Sequence, residues 1–197
     1  MALFDLAYPL DDTVEIDGKT YELNMAFDNI LRLIDLLEDK EIDPITKINI
    51  GLKMLIDDTL DEYSIEKKDE IFYLLIKEIF KIDEEDIQPT DIAGNPMPKM
   101  PEDTKKTYDL KQDAEYIYAS FMSDYGIDLF EMQGKLHWYK FKALLGGLTE
   151  GSKFLRVIEI RTMELPKGKG MEKERQRIKK LKEIYKLKDH DNTEDDY

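Results

Sequence analysis

Cysteine is absent from the 197 residues, which removes disulfides, thiolate catalysis and thiolate metal sites together and fits a reducing compartment. Histidine is nearly absent: with His137 and His190 alone, a histidine-rich metal site cannot be assembled. The chain contains no GxGxxG, no GxxxxGK followed by Ser or Thr, no HExxH and no GxSxG. No apolar run approaches the ~18 residues that a membrane span needs. The start, MALFDLAYPLDD, has neither a basic nor an apolar leader region. These absences predict a soluble chain, not exported by an ordinary signal, with no catalytic residues, no metal, no cofactor and no membrane partner.

What is present in excess is acid. The net charge is −15, and it is unevenly spread. Residues 167–188 carry ten Lys or Arg against three Glu, a net of +7, whereas 189–197 carry five acids and no base. Residues 1–166 therefore carry −17, enough to repel nucleic acid over most of the surface. A hydrophobic content of 42% is sufficient for a sizeable core. At this length the chain is one domain, or one with an appendage.

Residues 13–24 read as a small β-hairpin: Val14 and Ile16 alternate, Asp17-Gly18 is a two-residue turn, and Tyr21 and Leu23 alternate again. The period then becomes helical. Phe27, Ile30, Leu31, Ile34 and Leu37 form a stripe that Asn24 can cap. Asp43-Pro44 restarts a helix with the stripe Ile45, Ile48, Leu52 and Leu55, and Gly51 within it suggests close packing on a neighbour. Ser64 caps a third helix, apolar around much of its circumference (Ile71, Phe72, Leu74, Leu75, Ile79), which predicts a central position. Residues 84–107, with four prolines, break every period and read either as a mobile excursion or as a disordered spacer.

Residues 108–148 hold the only Trp and most of the aromatic side chains of the second half. Asp109 and Gln112 have capping-box spacing, so a helix is expected from Leu110 to the stop at Gly126. Asp128 and Glu131 repeat the spacing, so a second helix is expected at once, running to Gly146-Gly147. The two would form a helical hairpin. On the first, Leu110, Ala114, Ile117 and Phe121 share the inward face, with Tyr116 and Tyr118 partly exposed. Thr149 or Ser152 starts a further helix that Pro166 stops, with Phe154, Leu155, Ile158 and Thr162 inward. Residues 171–188 make a last, basic helix with a thin stripe (Ile178, Leu181, Ile184, Tyr185, Leu187), suited to loose docking or to a partner. Residues 189–197 are expected to be disordered. The expected fold is mostly α, a bundle of six or seven helices with a small N-terminal β-hairpin. Its expected organisation is 1–83, the loop 84–107, the aromatic core 108–166 and the basic end 167–197, with 1–166 as one globular domain.

His137 beside Trp138 is the one tempting position for chemistry, but a histidine in an aromatic helix is more often a hydrogen-bonded core or interface residue. The acidic runs IDEEDIQPTD and DDTLDEY lack the regular ligand positions of a calcium loop and read as solvated surface. The basic helix has only Tyr185 to stack on a base, so nucleic acid is not an expected partner.

Specific residues carry a resemblance. Asp109, Asp113, Ala114, Ile117, Tyr118, Ala119 and Phe121, then Tyr125-Gly126-Ile127-Asp128-Leu129, Leu136-His137-Trp138, Phe141, Leu144-Leu145-Gly147-Leu148 and Ile160-Arg161 resemble the bacteriophage "gene product 15" family. The resemblance implies a non-enzymatic tail assembly chaperone, working in the cytoplasm of the bacterial host and absent from the mature virion. It implies a tape measure protein and a tail tube protein as partners and allows a homo-oligomer. The side chains offered to a partner are Tyr116, Tyr118, Trp138, Tyr139, Ile178, Leu181 and Tyr185; the alternative for the aromatic ones is the core. Competing readings are a scaffold or connector of the particle, and a nucleic-acid-binding regulator acting through the basic helix.

Overall fold

The computed structural model describes residues 5–81 and 107–188. In these, β1 (Thr13–Ile16) and β2 (Lys19–Glu22) precede α1 (Phe27–Glu38), α2 (Pro44–Ile56) and α3 (Ile65–Phe80). After them come α4 (Ala114–Tyr125), α5 (Trp138–Gly146), α6 (Lys153–Thr162) and α7 (Glu172–Ile184). The protein is mostly α with a small N-terminal hairpin, as its periodicity predicts. The expectations for 84–106 and 189–197 lie outside the described residues. The chain gathers into two compact units: one of residues up to 81 with 133–141, the other of 107–132 with 142–188. Residues 133–141 thus leave the aromatic segment and join the N-terminal helices.

In the first unit β1 and β2 pair antiparallel, Thr13 opposite Glu22 and Ile16 opposite Lys19. The turn residues Asp17 and Gly18 have φ of 47° and 83°, the paired positive values of a tight hairpin turn that matches strand twist. Asp43 accepts from Thr46 N at 3.0 Å and Ser64 from Lys67 N at 3.4 Å, so both expected caps form. Asn24 does not cap α1. Its Oδ1 takes the Ala26 N–H, and the first helical N–H, of Phe27, goes instead to the Leu136 carbonyl at 2.9 Å. The buried face of α1 is Phe27, Ile30, Leu33 and Leu36, one step round from the expected Leu31, Ile34 and Leu37. On α3, Ile71, Phe72, Leu75 and Ile79 are buried, but Leu74 is 55% exposed, so the helix is not enclosed all round.

Gly51 of α2 lies under the Phe72 ring of α3, where a Cβ would overlap the ring edge. Alanine there would gain ~1 kcal/mol of helix propensity. Overpacking a tight core costs ~1–3 kcal/mol. Steric overlap should win: Gly51→Ala is expected to lower the thermal midpoint, and the smaller ring contact in Gly51→Ala/Phe72→Leu should recover part of it. A raised midpoint in the single variant would refute the close contact.

In the second unit α4 packs against α6 and α6 against α7. Asp109 does accept from Gln112 N (2.9 Å), and from Lys111 N (3.0 Å), but it closes a turn rather than a helix. The helix begins four residues later than expected, at Ala114. Asp113, not Gln112, returns the bond by accepting the Asp109 N–H at 3.0 Å. The helix ends as expected at Gly126 (φ 66°), whose N–H reaches Met122 O while Ile127 N–H reaches Phe121 O. Buried on α4 are Ile117, Ser120 and Phe121; Leu110 is partly buried and Ala114 exposed. Ser120 is fully enclosed and satisfied, donating to Tyr116 O (2.7 Å) and accepting from Phe154 N (2.9 Å). Ser152 caps α6, and its inward side chains are Phe154 and Val157 rather than Thr162.

The expected helical hairpin is not formed. Asp128 accepts from Phe130 N, but residues 129–135 are turns, and α5 starts only at Trp138. Before it, His137 pairs antiparallel with Ala26, and Trp138 N–H donates to Met25 O at 2.7 Å. Backbone pairing with a distant segment outcompetes the local capping signal and delays the helix until after His137.

Candidate interaction surface

His137 is 9% exposed. Its Nδ1 accepts the Tyr139 backbone N–H at 3.0 Å, which leaves the hydrogen on Nε2, and Nε2–H donates to Asp12 Oδ1 at 2.9 Å. Both ring nitrogens are thus occupied, Nδ1 within its own segment and Nε2 in tying that segment to Asp12, just before β1. A depression of about 470 Å³ beside it is lined by Asp12, Glu22, Asp57 and Lys135 among others, with no Ser, Thr, Cys or Tyr in the lining. Among the described residues no group of three His, Cys, Asp or Glu could hold a metal ion, and no helix is long and apolar enough to cross a membrane.

The seven side chains offered to a partner separate sharply. Trp138 and Tyr139 are 3% and 7% exposed and belong to the core. The indole lies flat against Phe141 (5.7 Å, 15°) and edge-on to Phe80 (6.2 Å, 77°). The Tyr139 hydroxyl donates to Glu78 O at 3.1 Å, and burial raises its phenol above the ordinary value. These two rings are therefore corrected from partner-facing to interior.

Ile178, Tyr185 and Tyr116 are used within the second unit. Ile178, 6% exposed, is the one fully buried side chain of α7, with Leu181 partly buried. Tyr116 meets Tyr185 edge-on (5.8 Å, 74°), with the Lys153 ammonium 5.4 Å and 4.7 Å from the two ring centres. The Tyr185 carbonyl accepts from Arg161 Nε. Gln112 forms a two-way amide bridge with the backbone of Lys188, 2.8 and 2.9 Å. The basic helix is thus docked at both its middle and its end.

Arg161, which periodicity left unassigned, is the hub of this arrangement. Its guanidinium grips both oxygens of Asp113 at 2.7 Å and also donates to Thr107 O at 3.1 Å. Its own carbonyl accepts from Lys182 Nζ (3.1 Å). The signature residues Asp109, Asp113 and Arg161 therefore form one polar scaffold. The pairing spans 48 residues, beyond the reach of any local pattern.

Tyr118 alone of the seven stands on an open apolar surface. It packs on Phe130 (5.3 Å), a ring 71% exposed, and donates its hydroxyl to Asp128 Oδ2 at 3.3 Å. Partial burial, then the negative charges of Asp128 and Glu131, hold the Tyr118 phenol above its ordinary value. Met122, 40% exposed, lies one turn further along the same face of α4. Phe130 and Met122 were missed because a residue in a turn, or a lone Met, carries no periodic sign of exposure. A large ring left in water at a turn held by Asp128 is the least explained apolar group of this unit by packing alone.

Residues 7–187 match the family model described as Bacteriophage Gp15 protein. No curated protein and no solved structure matches the chain.

Proposed function

The chain belongs to the bacteriophage Gp15 protein family and is a phage protein, and from that premise we propose that it is a non-enzymatic tail assembly chaperone. It shields the apolar helical stripes of the tape measure protein and brings tail tube subunits to it. It works in the host cytoplasm and is left out of the finished particle. One observation carries the reading: the Tyr118–Met122–Phe130 surface, with Met122 and Phe130 exposed, carried by α4 and by the turn that Asp128 holds. Aromatic and Met side chains give large contact area at small rotamer cost, and they suit an amphipathic helix laid across them. The occupied ring nitrogens of His137 support the absence of chemistry. The acidic body keeps a coated complex in solution.

Co-expression with the tape measure tests this. Wild type should co-purify with it, and Phe130→Asp should lose it while the thermal midpoint stays within about a degree or two, since an exposed substitution costs under ~0.5 kcal/mol. Co-purification unaffected by Phe130→Asp would remove the surface from the mechanism. Detection of the chain in purified virions would favour a scaffold or connector instead.

A further inference from the structure

We propose that the Tyr118–Met122–Phe130 surface takes a partner helix whose apolar stripe is flanked by lysine or arginine, and that its carboxylates select such a helix over an equally apolar acidic one. The inference rests on reading this surface as partner-binding and adds the chemistry of the partner. Between Gln112 and Lys135 the chain has no Lys or Arg but five carboxylates. Asp113 is buried against Arg161 and does not face a partner. The other four are Glu115, Asp124, Asp128 and Glu131. Glu115 is exposed and stands one turn before Tyr118 on the same face of α4. Asp128 reaches the Tyr118 hydroxyl with one oxygen and the Phe130 amide with the other. Glu131 follows the exposed ring, and its charge acts on the Tyr118 phenol. Asp124, two positions from Met122, lies off this face and accepts from Thr149, which leaves Glu115, Asp128 and Glu131 beside the apolar surface. The apolar surface thus has an acidic rim.

A partner approaching this rim must desolvate or neutralise it. Lysine and arginine do both, because their stems extend the apolar contact while their heads reach the carboxylates, and their charge is attracted to the exposed ring of Phe130. A glutamate-flanked helix of equal apolarity meets like charge at each flank. Anionic lipid and nucleic acid meet the same repulsion.

The probes are two synthetic amphipathic helices with one leucine stripe, flanked by lysines in one and by glutamates in the other, titrated into the full chain. The lysine-flanked peptide should bind about tenfold more tightly at low salt, the combined effect of a few exposed ion pairs, and the preference should shrink at high salt. In Glu115→Lys/Glu131→Lys, shown to be folded by its circular dichroism, the preference should vanish or invert; Phe130→Ala should weaken both peptides together. Equal affinity of wild type for the two peptides, a preference unmoved by salt, or one unmoved in the double variant overturns the proposal. Tape-measure co-purification reports separately on the chaperone reading: it can succeed with equal peptide affinities, or fail while the lysine preference stands.

Discussion

Arg161→Ala is expected to cost ~3–5 kcal/mol, the usual penalty for removing one partner of a buried ion pair. Asp113 is 0% exposed, and the guanidinium supplies two bonds of 2.7 Å to its oxygens. Without it, the buried carboxylate is left with the Asp109 N–H as its donor and no counter-charge from the guanidinium. The same deletion unties the Thr107 and Tyr185 carbonyls, so the end of α7 loses its anchor. Whole domains are stable by only ~5–15 kcal/mol, so the change is a large share of the total. Denaturant titration should show a strongly lowered midpoint, and proteolysis should open the chain first near residues 185–188. Arg161→Lys should recover little, because an ammonium cannot grip both oxygens. Arg161→Met/Asp113→Leu should recover much of the loss, because no charge is then left buried. A double variant no better than Arg161→Ala would show that the interaction holds the fold by geometry rather than by neutralising Asp113.

Trp138→Ala is expected to cost a similar ~3–5 kcal/mol, the range for emptying an indole site in a packed core. The ring is 3% exposed and is sandwiched by Phe141 and Phe80 in the first unit. Its backbone N–H is also the bond that fastens the 133–141 segment to Met25, so the cavity opens beside that junction. Trp138→Phe keeps most of the contact and should lose clearly less. The comparison decides between two roles, since a partner-facing tryptophan would change stability by under ~0.5 kcal/mol when truncated. Thermal unfolding followed by circular dichroism measures it. A midpoint unchanged by alanine would return Trp138 to the surface.

Where local chemistry acts alone, residue patterns located elements closely. Asp17-Gly18, Asp43-Pro44, Ser64, Gly126 and Ser152 each satisfy or release backbone groups within a few residues, so each turn or cap stands where its residue type requires. The fit of Gly51 under Phe72 was legible too, because glycine inside a helix is costly unless something occupies the space of its Cβ. The failures share a cause. Asn24 and Asp128-Glu131 offered local starts to helices, yet the Ala26–His137 pairing supplied acceptors and an extended path that local spacing cannot reveal. One-residue errors of face on α1 and α6 arise similarly, since a mixed stripe is turned by whichever neighbour packs on it.

The interaction surface divides along the same line. Helical periodicity and the Asp109–Arg161 signature are properties of residue order, and they alone led to a mostly α phage protein. Which aromatic residue faces water was beyond them. Trp138 and Phe130 are equally apolar and eight positions apart, but one entered the core because its backbone was drawn into pairing with Met25, and the other was left 71% exposed on a turn held by Asp128. Tight turns and several caps follow from interactions a few residues long and are written in the sequence directly. Burial and the pairing of Asp113 with Arg161 depend on which distant segments meet, and only the tertiary structure decides that.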